Sequence, residues 1–267
     1  AQHRHPGDVW LNYDLAVLLE RTSPLEALRF YTAARAARPE VGHGLAHVLS
    51  RLGRVAEAAE MLREMTRLRP SVASHRICLG SALARLGRHD EARAEYEEAR
   101  RLAPEMDQSH LGLGRLALAR NAPREAIPLL ERAVALTSDD PSPWNALGHA
   151  WQDLKQWRKA EESYRKALSL SSREIDSRFQ LARVLESQGL RSAAIAEYRA
   201  ILAFAPDAHE ARANMGSALT ETGRPAEGLL HLKKAAEAKP GDATIRKLYG
   251  QALARQGQRD EAITELR

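Results

Sequence analysis

Few residues in this sequence have both the type and the spacing that chemistry requires. His43 and His47 stand four apart, the separation at which two imidazoles on one helix can grip a metal ion. The residues between them are Gly-Leu-Ala, so there is no glutamate base of the HExxH kind, and no cysteine pair exists to complete a site. The expectation is surface or groove histidines and no metal. Cys78, the one cysteine, lies between Ile77 and Leu79 with no His–carboxylate pair beside it, and reads as a free, half-buried thiol. Gly112-Leu-Gly114-Arg-Leu-Ala117 has the letters of a dinucleotide fingerprint, but no strand precedes it. There is no GxSxG elbow, no GxxxxGK[ST] phosphate loop, no HRD and no DFG; His75-Arg76 is followed by Ile77. Neither an enzyme nor a cofactor is expected within these residues.

The elements that carry these side chains must be built from small apolar residues. Of 267 residues, 44% are apolar, which suffices for a core, but only 5% are aromatic, so that core is Ala- and Leu-built. A single cysteine excludes a disulfide framework. No apolar run approaches a membrane span, and no charged-then-apolar leader opens the chain. The sequence starts at Ala1 without Met and stops inside a helical pattern, so a larger parent protein is expected. The net charge of +5 and a pI near 9.5 point toward nucleic acid, yet the charges alternate in sign, as in Arg93-Ala-Glu95-Tyr-Glu97-Glu98-Ala-Arg100-Arg101. Lys is absent before Lys155, and no basic stripe with interleaved aromatics occurs. Nucleic acid is not the expected partner.

A repeat runs through the chain. Leu79-Gly80-Ser-Ala-Leu83-Ala-Arg-Leu-Gly87, Leu147-Gly148-His-Ala-Trp151 and Met215-Gly216-Ser-Ala-Leu219-Thr-Glu-Thr-Gly223 align. Each is followed by a small residue (Ala92, Ala160, Gly228), a large one four later (Tyr96, Tyr164, Leu232), then Ala99, Ala167 or Ala235. Pro70 and Pro104 are 34 apart, as are Pro206 and Pro240; Ser138 and Ser172 stand where two further prolines would fall. Apolar residues at 3- and 4-residue separations make two amphipathic helices per unit. Gly87, Gly189, Gly223 and Gly257 are expected to end first helices in a left-handed cap. Second helices are expected to start at Asp90, or at Pro24, Pro123 and Pro225, with Ser23-Pro-Leu-Glu26 as a capping box. Pro39 to Gly53 is three residues shorter than Pro70 to Gly87, so one turn is expected to be lost around Pro39–Gly44. Trp144 and Trp151 take large-residue positions and are expected in the core, whereas Trp157 in the turn is expected to show an edge.

This 34-residue helix–turn–helix resembles the tetratricopeptide repeat (TPR), most fully in Trp144-Asn-Ala-Leu147-Gly148-His-Ala-Trp151, Ala160, Tyr164 and Ala167. The resemblance implies an all-α, right-handed α-solenoid of TPR units. The expected organisation is a lead-in at 1–7, a degenerate unit at 8–38, a unit with a shortened start at 39–72, and units 73–106, 107–140, 141–174, 175–208 and 209–242. A truncated unit, 243–267, closes the chain. The resemblance also implies that unit positions 2, 5, 9, 12 and 13 line a concave groove. Arg115, Asn145, His149, Gln152, Phe179 and Arg183 then form a candidate peptide-binding strip, with Asp153, Asp176 and Glu186 among them and His43, His47, Arg51 and Arg85 nearer the N-terminus. The strip is suited to an extended protein or peptide ligand carrying acidic residues. The alternative is that these side chains are simply solvated, or that the acids already pair with the arginines. Neither the carboxylate-clamp subtype nor the Asn-ladder subtype of the family fits these positions. The opening His5-Pro-Gly-Asp8-Val-Trp10-Leu-Asn12-Tyr13-Asp14-Leu15 is similar to segments opening TPR arrays fused to planctomycete-type bacterial serine/threonine kinases. That likeness implies a cytoplasmic, bacterial setting and, as an alternative to a free-standing scaffold, a regulatory or substrate-docking arm of such a kinase.

Overall fold

The computed structural model describes residues 8–137 and 139–267; the lead-in 1–7, which includes His5–Gly7 of the opening segment, and Ser138 lie outside the described residues. The fold is all-α, with sixteen α-helices and no strand among the described residues. The chain divides into two compact units, 1–138 and 139–267.

The first unit contains α1 (Val9–Leu19), α2 (Pro24–Ala37), α3 (Gly42–Arg51), α4 (Val55–Leu68), α5 (Ala73–Arg85), α6 (His89–Leu102), α7 (Asp107–Ala119) and α8 (Pro123–Leu136). The second contains α9 (Ser142–Asp153), α10 (Trp157–Leu170), α11 (Ile175–Ser187), α12 (Arg191–Phe204), α13 (His209–Glu221), α14 (Pro225–Ala238), α15 (Ala243–Arg255) and α16 (Arg259–Leu266). Within each unit every helix packs on the next in sequence, so helix pairs stack as a helical-repeat solenoid, and first helices such as α5 and α7 or α13 and α15 also touch.

Local chemistry explains the boundaries. Pro24, Pro123 and Pro225 open α2, α8 and α14, where a missing N–H leaves nothing unpaired. Gly87, Gly189, Gly223 and Gly257 all have φ between 74° and 80°, the left-handed cap expected of them; the same cap position is occupied by Asn121 (φ 57°) and Lys155 (φ 56°), side chains that tolerate it less well. Two capping expectations need correction. Ser23 makes no side-chain cap bond, and Asp90 lies in the first turn of α6 behind His89 rather than at its cap, where its charge meets the positive end of the helix dipole. The turn Pro39–Val41 is 3₁₀, and α3 has 10 residues against 13 in α5, which accounts for the three missing residues.

The core is Ala and Leu punctuated by Tyr. Tyr31, Tyr164 and Tyr198 are at most 1% exposed. The glycines of the fingerprint-like segment are packing devices: a Cβ on Gly112 would fall 2.4 Å from the Tyr96 ring and one on Gly114 2.5 Å from Leu130. Gly148 faces Tyr164 of the second helix of its own repeat, 2.6 Å from a built Cβ. Trp144, Trp151 and Trp157 are all half-buried, so the turn tryptophan is not set apart; Lys159 lies 4.2 Å over the Trp151 ring.

Candidate functional site

Side chains on the first helices are steadied from behind by the second helices. In two repeats a buried tyrosine reaches through to the residue twelve positions before it: Tyr164 donates its hydroxyl hydrogen bond to Gln152 Oε1 (2.9 Å), and Tyr198 to Glu186 Oε2 (3.0 Å). Burial first, then the carboxylate of Glu186, hold the Tyr198 phenol neutral, far above its ordinary range. The Glu186 carboxyl is itself pushed up by burial.

Four of the six expected strip residues are brought into one hydrogen-bonded network in the second unit. Asn145 Nδ2 donates to Asp176 Oδ2 (3.0 Å) and to Ser177 Oγ (2.8 Å), and His149 Nε2 lies 3.3 Å from the same carboxylate oxygen. Gln152 Nε2 donates to Gln180 Oε1 (3.5 Å), Gln180 Nε2 to Asp176 Oδ1 (3.3 Å), and Arg183 Nη1 to Gln180 Oε1 (3.4 Å). Asp176 is the sink of this chain of donors. The His149 hydrogen bond above all, then those of Asn145 and Gln180, hold its carboxyl well below the usual carboxylate range. Gln180 and Ser177 were not among the expected site residues. The signal was available for Gln180, which sits one residue after Phe179 on the same turn of α11.

The arginines form no close ion pair with the nearby acids, although the Arg183 charge lies near enough to Glu186 to act on its carboxyl. Among the described residues neither Arg183 nor Arg115 forms an ion pair, and Asp153 and Glu186 make none either; Asp176 pairs with His149 instead. Arg115 is exposed on α7 of the first unit, where its charge lies near the Tyr96 hydroxyl. Phe179 packs edge-on against Tyr198, ring centres 5.7 Å apart, and its other side faces a cleft of about 860 Å³ at the N-terminal ends of α11, α13 and α15. Ile175, Phe179 and Ile245 supply its apolar wall, and Arg173, Glu210 and Lys239 are among its charged rim. Two further rim carboxylates are already engaged as helix caps: Glu174 accepts from Ser177 N–H, and Asp242 from Thr244 and Ile245 N–H. A hollow of about 330 Å³ shares Phe179 and Ile245 and reaches Arg183 and Asn214.

A second polar cluster lies in the first unit. His43 and His47 of α3 face one another, Nε2 to Nε2, at 3.0 Å. Cys78 of α5 places Sγ 3.7 Å from His47 Nε2 and 4.0 Å from His43 Nε2. The His43 ring also stacks on His75, centres 5.0 Å apart. Burial, with His47 and His75 adding to it, lowers the His43 imidazole to about 4, so it is neutral at physiological pH; burial alone raises the Cys78 thiol to about 11. The thiol remains free, as expected, but its neighbours are two imidazoles of the preceding first helix, a meeting that sequence order conceals. Among the described residues this is the place where three ligand-type side chains bring donor atoms within 4.8 Å of one another.

Comparison with known proteins agrees with this architecture. The family model described as Tetratricopeptide repeat matches residues 43–107, 79–141, 111–178 and 145–209, and a second model of the same description matches 219–267. No curated protein is significantly similar to the chain in sequence. Similar solved structures include YrrB, a TPR protein with an unusual peptide-binding site (21% identity, TM-score 0.60, 74% of this chain and 99% of that one). The APC/C hetero-tetramer Cut9–Hcn1 is similar over 94% of this chain and 50% of that one (17%, TM-score 0.77). A tetratricopeptide repeat protein from Parabacteroides merdae is similar over 92% and 98% (13%, TM-score 0.65). No helix among the described residues is long and apolar enough to cross a membrane.

Proposed function

The chain belongs to the tetratricopeptide repeat family, and from that premise we propose that it is a non-enzymatic protein-interaction scaffold whose second unit holds an extended peptide along the first helices α11, α13 and α15. The observation that carries this reading is the open cleft beside Phe179, with an apolar wall of Ile175 and Ile245 and, next to it, Arg183, which makes one long hydrogen bond to Gln180 and no ion pair among the described residues. Such a wall accepts one apolar side chain of an extended ligand, while the guanidinium forks onto a ligand carboxylate. Most of the cleft's own acids are occupied by helix caps or by the Asp176 network, which leaves Arg183, with Arg173 and Lys239 on the rim, to recruit an acidic ligand residue. The peptide-binding site of the similar protein YrrB supports the class of ligand and not its sequence.

A reading as the docking arm of a kinase rests on the opening segment alone, whose described part, Asp8–Leu15, contributes an ordinary helix start: Asp8 Oδ1 caps Leu11 N–H at 3.0 Å. The scaffold reading is tested by affinity capture with the full chain, followed by titration of the captured peptide. Arg183→Ala is expected to weaken binding at least about tenfold, the loss of a hydrogen bond to a charged group. It should leave the thermal melt unchanged, because the arginine's own bond is a long one to Gln180. Affinity that is indifferent to both Arg183→Ala and Phe179→Ala would overturn the placement of the site. A steep loss of affinity with salt would instead point to nucleic acid.

A further inference from the structure

We infer that His43, His47 and Cys78 form a binding site for a Zn²⁺-class ion on the first unit, bridging α3 and α5. The geometry is that of one face of a tetrahedron. Zinc–nitrogen bonds of about 2.0–2.1 Å and a zinc–sulfur bond of about 2.3 Å put nitrogen donors about 3.3 Å apart and nitrogen and sulfur about 3.6 Å apart. The observed Nε2–Nε2 separation is 3.0 Å, and Sγ stands 3.7 and 4.0 Å from the two nitrogens. Movements of a few tenths of an ångström, on the order of rotamer relaxation, close all three donors onto one ion.

The donor set decides the class of ion. Two imidazoles and a thiolate suit zinc and its late-transition neighbours, whereas Mg²⁺ and Ca²⁺ require oxygen ligands. On binding, the S–Zn bond forms as the Cys78 S–H proton passes to solvent; the imidazole that donates across the Nε2–Nε2 contact moves its proton to Nδ1, both rings then offer Nε2 lone pairs, and nothing is oxidised or reduced. Stacking on His75 holds the His43 ring, whose buried Nδ1 has no hydrogen-bond partner among the described residues.

Room for a fourth, non-protein ligand lies on the Cys78 and His47 side of the cluster. A cavity of about 120 Å³ lies beside Sγ, lined among others by His47, Ser50, Cys78, Ser81 and Arg85. That is space for several waters, at about 30 Å³ each in the liquid, or for one small anion facing the Arg85 guanidinium. Three protein ligands plus an exchangeable fourth mark an accessible site rather than a closed structural one. The ion also fastens α3, the shortest first helix of its unit with a glycine-weakened start, to its neighbour.

Co²⁺ titration of the full chain under reducing conditions tests this. One equivalent is expected to bring up the intense visible bands of tetrahedral Co²⁺ and a sulfur-to-cobalt charge-transfer band, both displaced by Zn²⁺. Cys78→Ser and His47→Gln are each expected to abolish the charge-transfer band, and Zn²⁺ is expected to raise the melting temperature of the parent but of neither variant. His47 is exposed, so its variant keeps the test decisive even where Cys78→Ser repacks. Absence of a charge-transfer band in excess Co²⁺, or a band unchanged in His47→Gln, overturns the inference.

Discussion

Helices α3 and α9 set the same problem to two different neighbours. Each is the first helix of a pair, and each holds two polar side chains four residues apart facing the next first helix: His43 and His47 toward α5, Asn145 and His149 toward α11. From α5 comes a thiol, Cys78; from α11 comes a carboxylate, Asp176, with Gln180 standing 35 residues after Asn145 as Cys78 stands 35 after His43. Behind α9 the buried Tyr164 reaches through to Gln152 and extends the polar network. Behind α3 the same repeat position holds Leu62, which has no polar end and borders the cavity beside Cys78. The repeat backbone fixes where the side chains meet. One residue from the following helix selects what they do: soft donors converge on a point in one case, and hydrogen-bond donors converge on an anion in the other.

The strongest way to sharpen this comparison is to move the first chemistry into the second place. The double change Asn145→His/Gln180→Cys gives α9 and α11 the donor set of α3 and α5, and the Co²⁺ capacity of the chain should rise from one equivalent to two. Capacity that stays at one would break the comparison, because repeat geometry alone would then not bring the donors together.

The next effect is on packing. Gly148 leaves room for the Tyr164 ring that supports Gln152, whereas the corresponding residue behind the histidine cluster is Ala46 facing Leu62. Gly148→Val should destabilise the second unit by about 1–3 kcal/mol through overpacking, read as a lowered denaturation midpoint, with the cobalt spectrum of the first unit unchanged. An unaltered midpoint would show that the ring yields without cost.

The smallest effect concerns pH. Because the Asp176 carboxyl is depressed in the folded chain, its network contributes stability above the ordinary carboxyl value of 3.8 and loses it as pH falls through the folded value. Asp176→Asn should therefore lower the melting temperature at neutral pH and flatten the acid limb of the profile below 3.8. The side chain is 53% exposed, so the difference is modest and should shrink further in salt. Parallel acid limbs in parent and variant would mean that the donors around Asp176 do not discriminate its charge.

Much of the scaffold was legible because periodicity records burial. The 34-residue spacing of Leu, Gly, Ala and Tyr marks which residues face a neighbouring helix, and Gly87 or Gly223 marks where a first helix must turn left-handed. The caps were less legible: Ser23 and Asp90 have the right letters, but a cap bond depends on backbone angles that composition does not set. The candidate strip was legible as a list of positions and not as a network. Asn145, His149, Gln152 and Arg183 follow from position, while the residue that organises all four, two directly and two through Gln180, is Asp176 on α11.

By itself the sequence determined that this chain is a stack of helix pairs with alanine, leucine and tyrosine inside and mixed charge outside, because each repeat carries its own amphipathic pattern and its own turn signals. Tertiary structure alone decided which polar residues become neighbours. Cys78 meets His43 and His47, and Asp176 meets Asn145 and His149, across gaps of 27 to 35 residues that only the rise from one repeat to the next closes. Side-chain chemistry at such sites depends on distances of a few ångströms between elements. Those distances are a property of how helices pack, and periodicity along a single helix does not encode them.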